Sequence, residues 1–249
     1  MPRHIGTLLA IASGKGGVGK TWLAVTLAHA LANAGRRVLL VDADFGLANV
    51  DIQLGLMPEQ DLTTYLAGAA PIAAVVMRHP AGFDILPGRS GAARLANLPI
   101  DTLASLLAAL RGLAGRYDHI LLDLGSGLDT AIRYITAHAD ALLVVATEEP
   151  TSITDAYAVL KLHAQDRPAP IEVRIVINQA ITVASGQRVF NTIAKAAQRY
   201  LGAAPSLAGI IRRDDRVRDA IRRQMPLLQR HPTSQAAREA ETLAAALAA

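Results

Sequence analysis

The chain has 249 residues, about half of them apolar, and 25 Lys and Arg against 21 Asp and Glu give a net charge of +4. That length suits one α/β domain spanning residues 1–249, and a surplus of four charges permits anionic partners without demanding one. Cysteine is absent, which excludes disulfides and thiolate-held metals or clusters. No apolar run approaches the roughly 18–20 residues of a membrane span and no signal pattern opens the chain, so a cytoplasmic protein is expected.

The first elements carry the strongest signal. Leu8-Leu9-Ala10-Ile11-Ala12 reads as a short buried strand, and Trp22 to Ala34 as a helix stopped by Gly35. Between them lies Gly14-Lys15-Gly16-Gly17-Val18-Gly19-Lys20-Thr21, which fits the phosphate-loop pattern G-x-x-x-x-G-K-[ST]. A loop that leads into a helix N-terminus aims several backbone N–H groups, with the helix dipole, at one point. Glycines let that backbone come close to phosphate oxygens. Lys20 reaches the β- and γ-phosphates and the Thr21 hydroxyl ligates Mg²⁺.

Lys15 is not required by the general pattern. With Gly16-Gly17-Val18-Gly19-Lys20-Thr21 it resembles the deviant Walker A motif of the MinD/ParA family of ATPases. The resemblance implies ATP and Mg²⁺ as cofactors, and an ATP-dependent homodimer in which Lys15 crosses to the other subunit's nucleotide. Trp22 departs from the hydroxyl or amide residue many relatives carry there. An indole cannot accept a hydrogen bond, so Trp22 is expected to pack against the sheet or the sugar. P-loop relatives that hold iron–sulfur clusters do so through cysteine, which this chain lacks.

Val38–Val41 is the next strand, followed by Asp42-Ala43-Asp44 at its C-terminal end, where open α/β sheets bind ligands. Asp42 through Asp51 resembles the family's D-x-D-x-G-L-x-N-x-D segment. The resemblance implies that Asp42 holds a Mg²⁺-bound water and that Asp44 orients the attacking water, an acceptor role that hydrolysis requires. Phe83–Leu86 reads as a strand and Asp101–Ala114 as a helix. His119-Ile120-Leu121-Leu122-Asp123 looks like a Walker B strand ending in a carboxylate that acts on Mg²⁺. Gly125 and Gly127 then allow a switch movement.

Thr130–His138 reads as a helix, Ala141–Val145 as a strand, Thr151–Gln165 as a helix, Val173–Ile177 as a strand, Gln187–Tyr200 as a helix and Leu207–Ile211 as a last strand. The alternation predicts an α/β fold: a doubly wound, mainly parallel sheet with helices on both faces, of the MinD-like P-loop NTPase kind. At the helix start Glu149-Pro150-Thr151-Ser152, Pro150 precedes the helix, Thr151 or Ser152 is positioned to cap it, and Asp155 lies in its first turn. Asn178 ends its strand, and family resemblance implies that its amide reads adenine. Arg213 and Asp214 lie in the loop that lines the base in relatives, and Arg212 stands where proline is usual.

Glu149 to Tyr157, Val189-Phe190-Asn191, Asp215-Arg216-Val217 and Ala220 to Leu228 resemble the FlhG (FleN, YlxH) branch of the family, over nearly the whole chain. That resemblance implies restraint of flagellar number and placement through ATP-dependent protein contacts, with an FlhF-type GTPase or other flagellar assembly proteins as partners, and a polar or inner-membrane-peripheral position. Membrane association itself is doubtful. In Ser234–Ala249 the sole cation is Arg238, and Ala236, Ala240, Leu243 and Leu247 make a stripe suited to packing on the domain. The second reading is a ParA-type partition ATPase that binds DNA non-specifically through Arg212, Arg213, Arg216, Arg218, Arg222, Arg223 and Arg230. Asp214, Asp215 and Asp219 interrupt that set, which favours a solvated mixed-charge face. A metabolic enzyme that activates a small carboxylic acid is the third reading, without a legible substrate pocket.

Overall fold

Eight strands of one sheet and eleven helices make up the described part of the computed structural model, residues 6–90 and 98–248. In chain order they are β1 (Thr7–Ser13), α1 (Lys20–Asn33), β2 (Val38–Ala43), α2 (Val50–Leu54), α3 (Leu62–Leu66), α4 (Ile72–Val75), β3 (Met77–Arg78) and β4 (Asp84–Leu86). Then come α5 (Ile100–Leu113), β5 (His119–Ser126), α6 (Thr130–His138), β6 (Ala141–Ala146), α7 (Pro150–Asp166), β7 (Glu172–Ala180), α8 (Val183–Leu201), β8 (Ser206–Arg212), α9 (Asp215–Arg222), α10 (Leu227–Arg230) and α11 (Gln235–Ala248). The strand order is β3-β4-β2-β5-β1-β6-β7-β8, parallel throughout except for the β3–β4 pair. The winding reverses direction on either side of β1, so β1 stands at the topological switch point where such sheets bind ligands.

Strand residues alternate between two cores, as a period of two requires. Leu8, Ala10, Leu39, Val41, Ile120, Leu122, Leu142, Val144 and Ile175 pack under α5, α6, α7 and α8. Leu9, Ile11, Leu40, Leu121, Leu143, Val145 and Val176 pack under α1, α9, α10 and α11. Because both faces are covered, the strands read as unbroken apolar runs.

The C-terminal helix lies against α1 and β8, with Ala236, Ala240 and Leu243 fully buried. Its last carbonyls accept hydrogen bonds from Arg174 (to Ala246, 2.9 Å) and Arg36 (to Ala248, 3.1 Å), which supplies the cations a helix C-terminus favours. The expected apolar stripe is therefore used inside the domain. Among the described residues no helix is long and apolar enough to cross a membrane.

Differences from the sequence expectation are local. Pro150 is the first helical residue of α7, Glu149 precedes it, and neither Thr151 nor Ser152 caps the helix. The Ser152 hydroxyl instead accepts from Thr147 N at 2.9 Å, and no acid lies in the first turn. The eighth helix starts four residues before Gln187 because Thr182 and Ser185 form a reciprocal capping box. The helices α2, α3, α4 and α10 and the edge strand β3 were not anticipated. Each spans two to five residues, too few for a periodic signal.

His163 on α7 is 3 % exposed, beside Leu160, Ile171, Val173, Ala197 and Leu201. Burial, helped by Arg167, lowers its pKa to about 4. A histidine held neutral in the fold adds stability above its unfolded pKa of about 6.5 and loses it as pH falls towards 4. The wild-type urea midpoint is therefore expected to drop across that window. In His163→Leu the drop should be smaller by up to about 3 kcal/mol in unfolding free energy. Parallel pH profiles of the two proteins would remove His163 as the cause. His29 and His79, whose pKa values are also lowered by burial, leave some slope in both.

Candidate active site

The phosphate loop runs from the end of β1 into α1. Gly17 and Gly19 have φ of 79° and 86°, left-handed values that a side chain resists. A Cβ at Gly14 would lie 2.5 Å from the Asp155 carbonyl oxygen, and one at Gly19 2.5 Å from the Asn178 amide nitrogen. The first turn of α1 has no side-chain cap and no acidic residue, so its N–H groups are left for an anion.

Lys20, 7 % exposed, places its ammonium on the Leu124 carbonyl and 3.4 Å from Asp123 Oδ1. Asp123 is completely buried, and its second oxygen has no hydrogen-bond partner. Burial raises its pKa, against the pull of Lys20 and a hydrogen bond from Thr21. The β2–β5 register sets Asp42 directly beside Asp123. Burial, and then the Asp123 charge, raise the Asp42 pKa to about 7, although Asp42 accepts backbone hydrogen bonds from Asp44, Asn49 and Val50. Two adjacent buried carboxylates, one with an orphaned oxygen, next to a threonine hydroxyl form the oxygen-rich surroundings that a hard divalent cation needs. Asp42, Asp44 and Asp123 do not form a three-carboxylate cage among the described residues. Mg²⁺ completes such sites with phosphate oxygens and water.

Asp44 is half-buried, and its Oδ1 accepts from Gly46 N (3.3 Å) and Leu47 N (3.0 Å). It faces the Gly125 backbone, where a Cβ would be 3.2 Å from that oxygen. Lys15, Gly16, Gly17, Val18, Gly19, Lys20, Thr21 and Asp44 share a cavity of about 330 Å³ with Leu47, Asn49, Gln53 and Ser126. Lys15 does not point along that cavity to its own loop. Its ammonium pairs with Glu149 and bonds the Thr151 hydroxyl at 2.9 Å.

A neighbouring cavity of about 290 Å³ is walled by Trp22, Asn178, Gln179, Arg213, Asp214, Val217 and Ile221. Trp22 and Ile221 line both cavities. Trp22 is 5 % exposed and packs in the α1-side core, and its indole N–H has no partner. Asn178 spends one amide hydrogen on the Val18 carbonyl, 2.7 Å away, which leaves its oxygen available. The Arg213 side chain is exposed at the outer wall, and its backbone N–H bonds Ala180 at 2.9 Å. Asp214 caps α9 and also accepts from Ala236 N, so its carboxylate is committed to the fold. Arg212 bonds Glu239 of α11 through both backbone N–H and side chain, each at 2.7 Å. A proline there would lose the backbone bond.

Sequence reasoning missed Gln179, Asn49, Gln53 and Ser126. Ser126 lies between the two flagged glycines, a signal that was open to reading. Gln179 has no such signal, because a glutamine does not announce a left-handed backbone.

Residues 7–247 match a protein-family model described as cellulose biosynthesis protein BcsQ. The chain is 38 % identical over 234 residues to the antiactivator FleN of Pseudomonas aeruginosa, covering 94 % of this chain and 83 % of that one. It is 30 % identical over 226 residues to the flagellum site-determining protein YlxH of Helicobacter pylori, covering 88 % and 76 %. The fold superimposes on the Pyrococcus furiosus cell division ATPase MinD with a TM-score of 0.81, at 25 % identity, over 97 % of this chain and 98 % of that one. It is also similar to the Pyrococcus horikoshii MinD complexed with Mg-ADP, with a TM-score of 0.80 at 25 % identity over 98 % and 99 %.

Gly19→Ala tests the loop directly. The left-handed backbone and the contact with Asn178 predict a loss of roughly 1–3 kcal/mol, visible as a lower melting temperature. An unchanged melting point would mean the loop does not need glycine there.

Proposed function

The chain belongs to the BcsQ/MinD/ParA family of P-loop ATPases and hydrolyses ATP with Mg²⁺, and we propose that it is a dimerisation switch that restrains flagellar number and placement. The observation that carries the switch is the pair of lysines at one loop. Lys20 is buried under the loop, where it serves the chain's own phosphates. Lys15 stands at the rim in an exposed pair with Glu149, an interaction worth at most about 1 kcal/mol. Lys15 is therefore free to exchange Glu149 for the nucleotide of a second subunit. The flagellar output is supported by similarity to FleN and YlxH over most of the chain.

In this reading Gly14, Gly16, Gly17, Val18 and Gly19 wrap the phosphates with backbone N–H groups, and Lys20 leaves the Leu124 carbonyl for the γ-phosphate. Thr21 and Asp123, with Asp42 acting through water, would hold Mg²⁺, which neutralises charge between the β- and γ-phosphates. Asp44 has one oxygen fixed by its own loop and turns the other to the attacking water. The free oxygen of Asn178 meets the base, Trp22 packs against the sugar side, and Arg213 and Asp214 close the outer wall.

An FlhF-type GTPase or another flagellar assembly protein is the proposed partner, at a polar or inner-membrane-peripheral position in the cytoplasm. DNA is less favoured. Arg212, Arg218 and Arg230 already pair with Glu239, Asp215 and Asp219, so the arginine face is mixed in charge. Membrane binding by α11 finds no support, because its apolar face is buried on the domain.

Sedimentation tests the switch. ATP with Mg²⁺ should give dimers and ADP monomers, and Lys15→Ala should stay monomeric with either. Equal dimerisation with both nucleotides would remove the switch. Asp44→Ala should bind ATP and dimerise while turnover falls by about 10²–10⁴-fold, and Lys20→Ala should lose ATP binding in calorimetry. Unchanged turnover in Asp44→Ala would leave the water-positioning residue unidentified. Cells that lack the protein should carry more flagella, counted by electron microscopy. Unchanged counts would assign the switch another output.

A further inference from the structure

Two non-glycine residues among those described have left-handed backbone, Gln179 (φ 57°) and Gln224 (φ 54°). Gln224 follows the end of α9, an ordinary place for that conformation. Gln179 lies within β7, where it is strained, and such outliers gather at functional sites. The pairing with β8 slips at this point. From Ile177 to Ala180 strand β7 advances three residues while β8 advances two, from Ile210 to Arg212. The extra residue makes a bulge, a device that re-aims side chains.

The bulge alters which way the side chains face. In a regular strand neighbouring side chains point to opposite faces. Here Asn178 donates to the Val18 carbonyl at 2.7 Å and Gln179 donates to the Gly17 carbonyl at 3.2 Å. Two consecutive amides thus hold two consecutive carbonyls of the phosphate loop. Gly17, which bears one of those carbonyls, and Gly19, which follows the other, both have left-handed backbone. Carbonyls tied outward leave the loop's N–H groups free to face an anion. The bulge is also joined to the base side, since Arg213 N bonds the Ala180 carbonyl and Gln179 lines the cavity with Asn178 and Arg213.

We propose that Gln179 is a positioning residue of the phosphate loop, a strained amide that shapes the Gly17–Val18 bend and makes the base wall and the phosphate loop one mechanical unit. The inference rests on the nucleotide-site reading above and goes beyond it, because Gln179 acts through the loop backbone rather than on the base.

The test compares wild type, Gln179→Gly and Gln179→Asn, each titrated with Mg²⁺-ATP and with Mg²⁺-inorganic triphosphate, which has no base. Melting temperatures are recorded alongside. Glycine accepts the left-handed backbone, so Gln179→Gly should melt no lower than wild type. It should nonetheless bind ATP and triphosphate about 5–10-fold more weakly, the size of one lost hydrogen bond. Asparagine tolerates the backbone and keeps an amide, so Gln179→Asn should fall between the two. Affinities within twofold of wild type in Gln179→Gly would overturn the inference. So would a loss confined to ATP, which would make Gln179 a base contact, or a loss that follows a lowered melting temperature. Wild type that binds neither ligand would overturn the nucleotide site itself, a result distinct from these.

Discussion

Everything at this site depends on two carboxylates placed side by side in a dry position. The parallel pairing of β2 with β5 aligns Asp42 with Asp123 in the C-terminal halves of adjacent strands. Both are almost wholly buried, and burial raises both pKa values. Carboxylates in such a place need cationic and hydrogen-bonding partners, because desolvation costs more than any one neighbour returns. The chain supplies Lys20, the Thr21 hydroxyl and the N-terminal N–H groups of α2, and one oxygen of Asp123 remains unmet. The arrangement suits a bound cation and polyphosphate better than it suits itself, which is how the fold stores affinity for its ligand.

The two lysines of the loop stand in opposite electrostatic environments. Lys20 is sealed between the loop and the end of β5, so its charge acts at low dielectric and close range. Lys15 is a third exposed and paired with a mostly exposed glutamate, so its contact is weak and exchangeable. The partner residues, Glu149 and Thr151, come from the start of α7. The string Glu149-Pro150-Thr151, a helix start by its sequence, thus also anchors Lys15 of the phosphate loop.

The departures from the family pattern have structural explanations of their own. Trp22 fills the junction of the two cavities from the core side. Arg212, in place of a proline, uses its backbone N–H and its guanidinium to bind Glu239 and so fastens α11 to the sheet. The same docking accounts for the weakly charged C-terminal segment, whose Ala236, Ala237, Ala240 and Ala244 are buried where α11 lies against α1 and β8.

The sequence by itself determined the layers and the chemistry of the phosphate loop. Apolar runs of strand length, alternating with helices, allow little besides a doubly wound parallel sheet, and the spacing Gly14 to Thr21 dictates a phosphate-binding turn, because both signals are local in the chain. It also placed Asp42, Asp44 and Asp123 towards the C-terminal edge of the sheet, although β2 runs on through Asp42 to Ala43 and β5 runs three residues past Asp123 to Ser126. Only the tertiary structure decided that Asp42 and Asp123 lie side by side in register, that Lys15 rests on Glu149, that Asp214 is spent on capping α9, and that Gln179 holds the loop 162 residues away. Register, bulges and long-range hydrogen bonds arise from how β2 meets β5 and β7 meets β8. Pairings between distant segments leave no periodicity in either segment alone.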